Sequence, residues 1–407
     1  MTKKDKIIMC IFSFLLVFVT LFANVKFLDI FALPEDFKTN YSEIDEANKS
    51  ASFGGFVKTE FEGSETEVGS EKKKEGIVVF KLFGFIPIRK VKVSILPEEE
   101  VYVGGVPIGI NVNSDGVIVM ADTSYSADGG QIKEIKNKKL KAGDIITKIN
   151  NKEAGNVDDV EEILQNVSDD QVEIEFIRGN KLQKCSVPLV KSEEGYKLGI
   201  WGRDDMSGVG TLTFVHKDTH NFCGLGHAIT DGQTENILPI TDGKVFNCSL
   251  VGINKGQKNA PGQLKCLFLQ SDESGTVAVN NKFGISGKLN DISKLVDSNL
   301  TAKVGGRLSV KPGKAKIISS VSGLREEYDI EIIKASYQAK SDDKSLVFRV
   351  KDKRLIDLTG GIVQGMSGSP ILQDGKIVGA VTHVFLSDPT KGYGVYTDWM
   401  IEECENN

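Results

Sequence analysis

Gly365-Met366-Ser367-Gly368-Ser369-Pro370 runs into Ile371-Leu372, then Asp374-Gly375, then Ile377-Val378-Gly379-Ala380-Val381. A serine flanked by glycines has an exposed hydroxyl beside a backbone free to turn. Gly365 and Gly368 remove side chains that would block an approaching substrate, and they let backbone N–H groups converge on a developing oxyanion. The residues after the serine read as strand, tight turn, strand, because Asp-Gly between two apolar runs is a hairpin signal. Ser367 is therefore the candidate nucleophile, with the N–H groups of Gly365 and Ser367 as candidate oxyanion donors.

A serine loop feeding a hairpin is the layout of chymotrypsin-like proteases. The alternative elbow of α/β-hydrolases needs a helix there and a glycine two residues after the serine. Ser369 stands at that position and a hairpin follows, so the elbow is rejected. The nucleophile needs a base, and the chain has four histidines. His216 and His220 fall in a polar stretch that reads as a solvated turn. His383 ends the strand after the serine hairpin and reads as a structural residue near the site. His227 lies in Gly224-Leu225-Gly226-His227-Ala228, where small neighbours leave the imidazole room to meet a serine from elsewhere in the fold. The orienting acid is read from strand parity. Leu346, Phe348 and Val350 alternate with Val347, Arg349 and Lys351, and Asp352 continues the apolar face. A carboxylate aimed at the core needs a partner. His227 is one choice, and Arg354 or a backbone N–H is the other. Asp231 and Asp357 are rivals for the same role.

Several of these segments together resemble the stage IV sporulation protein B peptidases, the membrane-anchored serine peptidases of endospore formers. The resemblance is carried by Thr359-Gly360-Gly361-Ile362-Val363-Gln364 before the serine motif, Thr382-His383-Val384-Phe385 after it, Gly226-His227, the Asp388-Pro389-Thr390 and Gly392-Tyr393-Gly394-Val395 tail, and a PDZ-like segment upstream. It covers most of the chain from about residue 76. It implies Ser367 as nucleophile, His227 as base and Asp352 as orienting acid, fifteen residues before the serine. It also implies cleavage of the chain itself and of a regulatory protein in signalling from forespore to mother cell. Other classes remain open: a PDZ scaffold with a non-catalytic peptidase fold, or a broad quality-control protease.

The net charge of −6 over 407 residues gives no basic footprint for nucleic acid. Forty-two glycines and repeated Asp-Gly pairs point to a β-rich protein. None of the six cysteines has C-x-x-C spacing, so neither a zinc site nor a thioredoxin-like motif is indicated, and the peptidase reading implies no metal or organic cofactor. The cysteines read mainly as free or buried thiols. Lys3, Lys4 and Lys6 precede Ile7 through Val25, a stretch without a charge. Nineteen helical residues span ~28 Å, close to the hydrocarbon thickness. Residues 1–30 therefore read as a cytosolic tip and an uncleaved anchor, with the rest outside the cytosol; a cleaved signal peptide is the other reading.

Residues 31–97 read as a tether and a short β segment. Thr59 to Lys74 is polar without an apolar pattern and reads as exposed linker, a possible strip for self-cleavage. Gly76 to Pro97 reads as a hairpin around Gly84-Phe85-Ile86-Pro87. Residues 98–192 resemble a PDZ domain. Leu140 to Asn150 carries its turn-and-strand signature. Val160, Ile163, Leu164 and Val167 mark a helix capped at Asn156 or Asp158, and Arg178-Gly179-Asn180 turns a closing hairpin. Its peptide-binding edge is expected at Ile108-Gly109-Ile110. Residues 195–407 are expected to form the peptidase, so the chain as a whole is expected to be mainly β, with an anchor, a PDZ-like domain and a chymotrypsin-like double β-barrel.

Overall fold

The computed structural model describes residues 30–405, apart from 41, 45–56, 69–70, 96–97, 123, 128–130, 135–138, 180, 193–194, 233–234, 337 and 339–340; before these only residues 5, 9, 12 and 13 are described. Apart from residues 9, 12 and 13 the expected anchor thus lies outside the described residues, and so does Cys10. Among the described residues no helix is long and apolar enough to cross a membrane.

The chain is mainly β, as its glycines and turns imply. Four strands form a first sheet: β1 (Asp36–Thr39), β2 (Val57–Val68), β3 (Glu71–Leu82) and β4 (Ile86–Ile95), in the order β1-β4-β3-β2. Alternate apolar residues of β3 and β4 (Val78, Phe80, Val91, Val93) pack on Ile30, Leu33 and Val57. The hairpin expected around Gly84 is present as β3–β4. The tether expected at Thr59 to Lys74 is not: its described residues lie in β2 and β3, paired from Val57↔Leu82 to Val68↔Glu71. Its polar composition misleads because a ladder anchored by an apolar end can run on through residues with no apolar pattern of their own. The first sheet reaches the rest of the molecule through Glu43, a buried carboxylate that accepts the Gly306 N–H at 2.5 Å and the Thr39 hydroxyl at 3.0 Å.

The next strands are β5 (Glu100–Val103), β6 (Pro107–Asp122), the hairpin β7 (Ser124–Ala127) and β8 (Gln131–Glu134), then β9 (Ile145–Ile149) and β10 (Lys152–Glu153). Helix α1 (Val157–Gln165) starts at Asn156, whose side chain accepts the Asp159 N–H while the Asp159 carboxylate accepts the Asn156 N–H. That reciprocal cap is one of the two expected from sequence. The closing hairpin β11 (Gln171–Arg178) and β12 (Lys181–Pro188) is also as expected. Buried Asp144 receives a two-pronged ion pair from Arg178 at 2.6 and 2.7 Å, which ties the 140–145 turn to β11. Leu140, Ile146, Ile149, Val160, Ile163, Leu164, Ile174 and Phe176 form the core of this unit.

Two short strands, β13 (Val190–Ser192) and β14 (Gly195–Lys197), lead to the long strand β15 (Ile200–His216). It is followed by β16 (Asn221–Gly224), β17 (Ile240–Asn247), β18 (Ser249–Asn254), β19 (Gln263–Leu267), β20 (Glu273–Asn281), β21 (Gly284–Leu289) and β22 (Thr301–Val304). The last stretch holds β23 (Gly313–Ser319), β24 (Glu326–Ala335), β25 (Leu346–Val350), helix α2 (Lys353–Thr359), β26 (Pro370–Gln373), β27 (Lys376–Val384), β28 (Lys391–Tyr396) and helix α3 (Thr397–Glu405). Asp374 and Gly375 both have positive φ (51° and 79°) and close the β26–β27 hairpin, which the serine motif predicts.

The division near residue 98 needs correction. β6 is a single strand with two roles. Its first half pairs with β15 on one side and β17 on the other, inside the barrel system; Val117 and Ile118 further along pair with β9 of the PDZ-like unit. β5 likewise pairs with β15 and β22. The sequence expectation for the PDZ groove fails for the same reason. Ile108 and Ile110 are buried, and Gly109 sits between paired strands, with the Phe268 ring 2.3 Å from where a Cβ would stand. A strand hydrogen-bonded on both edges cannot accept an added peptide.

Two clusters of buried side chains fill the peptidase part. One gathers Ile108, Ile110, Leu212, Phe222, Leu225, Val245 and Ile285. The other gathers Ile317, Tyr328, Ile330, Phe348, Met366, Ile371, Val381 and Val395. β16 of the first and the 360–369 loop of the second carry the residues that meet at the cleft.

Candidate active site

Ser367 sits in the loop between α2 and β26. Both glycines beside it are in the left-handed region, each with φ +95°. At Gly368 a Cβ would stand 2.1 Å from the Thr211 carbonyl oxygen, so only glycine lets the loop press on β15. The loop is held from both sides. Thr211 donates its N–H to the Ser367 carbonyl and its hydroxyl to the Gly365 carbonyl; the Thr213 hydroxyl bonds the Gly368 carbonyl; Gly368 N–H bonds Val381. The Ser367 hydroxyl lines an open cleft of about 850 Å³ and donates to the Thr382 carbonyl at 2.9 Å. Ser369 is fully buried behind it and does not line the cleft. Among the described residues the N–H groups of Gly365 and Ser367 donate to nothing, while those of Met366, Gly368 and Ser369 are taken by backbone carbonyls. Two unused donors beside a half-buried serine oxygen that lines the cleft are the arrangement an oxyanion needs.

His227 lines the same cleft. It follows β16 through Leu225 and Gly226, both at positive φ (67° and 71°), which swing the chain out of the first cluster toward β27. Its Nδ1 lies 2.9 Å from the Ala228 carbonyl oxygen. A carbonyl can only accept, so Nδ1 carries the proton and Nε2 keeps the lone pair. Burial pushes the imidazole below its ordinary pKa. It is therefore neutral at pH 7 with a basic nitrogen to offer.

Asp352 is not at this site, which corrects the third assignment. Strand β25 ends at Val350, and Leu346, Phe348 and Val350 do face the core. The parity stops there because Asp352 is the N-cap of α2, accepting the Arg354 N–H at 2.9 Å. The Arg354 guanidinium holds the same carboxylate at 2.8 Å and keeps it below the usual carboxylate range. Neither its oxygens nor its hydrogen bonds involve His227. Of the rivals, Asp231 lines a separate cavity with Ile118 and Leu238, and Asp357 lies on α2 with its carbonyl bonded by Lys255; neither borders the cleft.

Two carboxylates do border it, Glu235 and Asp343, and the one paired with a cleft histidine is Asp343, in the turn before β25. Its carbonyl accepts the Thr382 hydroxyl at 2.9 Å, and its Oδ2 lies 3.8 Å from Nδ1 of His383. The His383 ring in turn lies 5.2 Å from the His227 ring. Burial first, and Asp342 beside it second, push the Asp343 carboxyl up to about 6. Burial also pushes His383 down to about 4. Sequence reading missed Asp343 because Ser341-Asp342-Asp343-Lys344 is a polar turn with no periodicity. The only usable signal was His383, whose place one strand from the serine was noted but assigned no chemistry.

A model of the SpoIVB peptidase S55 family matches residues 194–401, about half of the chain. The chain belongs to that family. It is accordingly a serine peptidase, a hydrolase of peptide bonds. A PDZ domain model matches residues 137–178, the unit built on Leu140, α1 and β11. No curated protein matches the chain. Among solved structures it is similar to the PDZ domain of the SdrC-like protein from Listeria monocytogenes, at 23% identity and a TM-score of 0.18, covering 22% of this chain and 87% of that one.

Proposed function

We propose that this S55 peptidase is a membrane-anchored endopeptidase that cleaves itself and a membrane-associated regulatory protein in forespore-to-mother-cell signalling during sporulation. The observation that carries the chemistry is the meeting of Ser367 and His227 in one cleft, with two unused backbone N–H groups beside the serine. The Ser367 hydroxyl exchanges the Thr382 carbonyl for Nε2 of His227 and attacks a peptide carbonyl as its proton passes to that nitrogen. The N–H groups of Gly365 and Ser367 take the oxyanion. His227 returns the proton to the departing amine as the C–N bond breaks, leaving a seryl ester. Water then attacks the ester with His227 again as base, and the serine regains its proton. The Ala228 carbonyl fixes the Nδ1–H tautomer throughout. Asp343 pairs with His383, whose ring adjoins that of His227, so it rather than Asp352 favours the imidazolium as it forms. The apolar run Ile7–Val25 behind three lysines supports an anchor with the catalytic part outside the cytosol, between the two membranes of the sporangium.

The test is to incubate the purified chain and sequence new N-termini, beside a Ser367→Ala variant. New termini in the wild type alone support self-cleavage by Ser367. Termini in both, or in neither under conditions where a fluorophosphonate labels the wild type, contradict it.

A further inference from the structure

The turn that closes β3 and β4 presents large apolar side chains to solvent. Phe85 is 71% exposed, Phe83 45% and Ile86 44%. Phe83 and Gly84 have positive φ (53° and 80°), a pair that Asn-Gly fills with less strain than an aromatic residue does. The route of the chain shows what lies beside this tip. β1 runs parallel to β4 with Asp36 opposite Lys92. Before it, the Glu35 carbonyl accepts the Lys92 N–H, and the Leu33 carbonyl is held by Arg89. Walking back from Asp36 thus follows β4 back toward Ile86, the tip end of the sheet. Ile30 and Leu33 share their core with Leu82 and Ile88, which flank the tip. Phe31 between them is also exposed. Four residues lie between Val25 and Ile30, so the five steps from one to the other span at most about 18 Å of extended chain. Behind the tip, Lys58 lies along Gly84, and Lys81, Arg89 and Lys90 occupy the adjoining ends of β3 and β4; Glu60 pairs with Lys81.

We propose that Phe83, Phe85 and Ile86 insert into the interfacial layer of the same bilayer that the Ile7–Val25 segment enters. The first sheet is then held to the lipid surface at two points, with the basic residues behind the tip facing anionic headgroups. This rests on the reading of residues 7–25 as an anchor. Two contacts fix the orientation of the sheet, which a single helix leaves free to swivel, and through Glu43 they set the height of the peptidase above the membrane.

The test uses the full chain reconstituted in phosphatidylcholine–phosphatidylglycerol vesicles, with Phe85→Trp as reporter and the wild-type emission of Trp201 and Trp399 subtracted. Emission of the introduced tryptophan should shift to the blue and be quenched when the lipids carry brominated acyl chains. Adding Phe83→Ser and Ile86→Ser should weaken that quenching while vesicle association and fluorophosphonate labelling stay as in the wild type. Emission open to aqueous acrylamide and indifferent to bromine, on protein that remains with the vesicles, overturns the tip contact and leaves the exposed patch to a protein partner. Quenching untouched by the two serines overturns it as well. Loss of wild-type chain from the vesicles is a distinct result, since it removes the anchor reading itself.

Discussion

Asp352 and Asp343 divide between them what a single acid was expected to do. Asp352 holds the start of α2, and Asp343 faces the cleft. Asp352→Ala should cost about 1 kcal/mol of stability through the lost cap. It should lower activity only through disorder reaching Thr359-Gly360-Gly361 and the serine loop; Asp352→Asn keeps the cap and should recover both. Asp343→Asn should slow labelling by a fluorophosphonate while leaving the unfolding free energy within about 1 kcal/mol of the wild type. An Asp352→Asn variant that melts normally but labels poorly would restore Asp352 to the chemistry. The pH profile is a second check. His227 must be neutral to act, and burial lowers its pKa. Labelling should therefore hold constant as pH falls from 8 through the ordinary histidine range of about 6.5 and fail only below it. A midpoint above 6.5 would require a carboxylate on Nδ1, which this site lacks. At this scale the placement of Ser367 and His227 at one cleft was readable, because small flanking residues are a local signal. The acid was not, since its place depends on how a polar turn folds against β27.

Among the elements, those set by turn chemistry or by alternating apolar residues were legible: the β26–β27 hairpin from Asp374-Gly375, β25 from Leu346, Phe348 and Val350, and α1 from its spacing and Asn156 cap. Helix α2 was missed because seven residues give fewer than two turns of periodicity and Asp352 fits the preceding strand's parity as well as it fits a cap. Ile108-Gly109-Ile110 was misplaced because a glycine between apolar residues marks close approach without saying of what. The approach is by the Phe268 ring. Gly109→Val should therefore lower the melting temperature sharply and abolish fluorophosphonate labelling together, as overpacking costs about 1–3 kcal/mol or more where the neighbour cannot yield. Loss of target cleavage with intact labelling and intact melting would instead put a peptide groove at Gly109.

Across the whole molecule, the strands do not respect the family boundaries. β5 and β6 precede the matched segment 194–401, yet they pair with β15, β17 and β22 inside it. A fragment of residues 194–407 should fail to fold, whereas one beginning at residue 98 should give a cooperative transition by circular dichroism; a folded, probe-reactive shorter fragment would show these strands to be dispensable. Composition and turn count announced a β-rich chain, but no local pattern announces that one strand is shared by two units. The first sheet has its own sensitivity. Burial raises the Glu43 carboxyl to about 7 from 4.5. A raised acid favours the protonated form in the fold, so the stability it confers is full below about pH 4.5 and is lost as pH rises through 7. Glu43→Gln should flatten the pH dependence of thermal unfolding across that window, and a slope unchanged by the substitution would contradict it.

The central claim is that Ser367, activated by His227, is the nucleophile. The most direct measurement is mass spectrometry of the full chain after reaction with a fluorophosphonate, with the adduct located by peptide mapping. The account predicts one adduct, on the peptide bearing Ser367, lost in Ser367→Ala and in His227→Ala and retained in Ser369→Ala. An adduct on Ser369 or elsewhere, or labelling of Ser367 that survives His227→Ala undiminished, would contradict it.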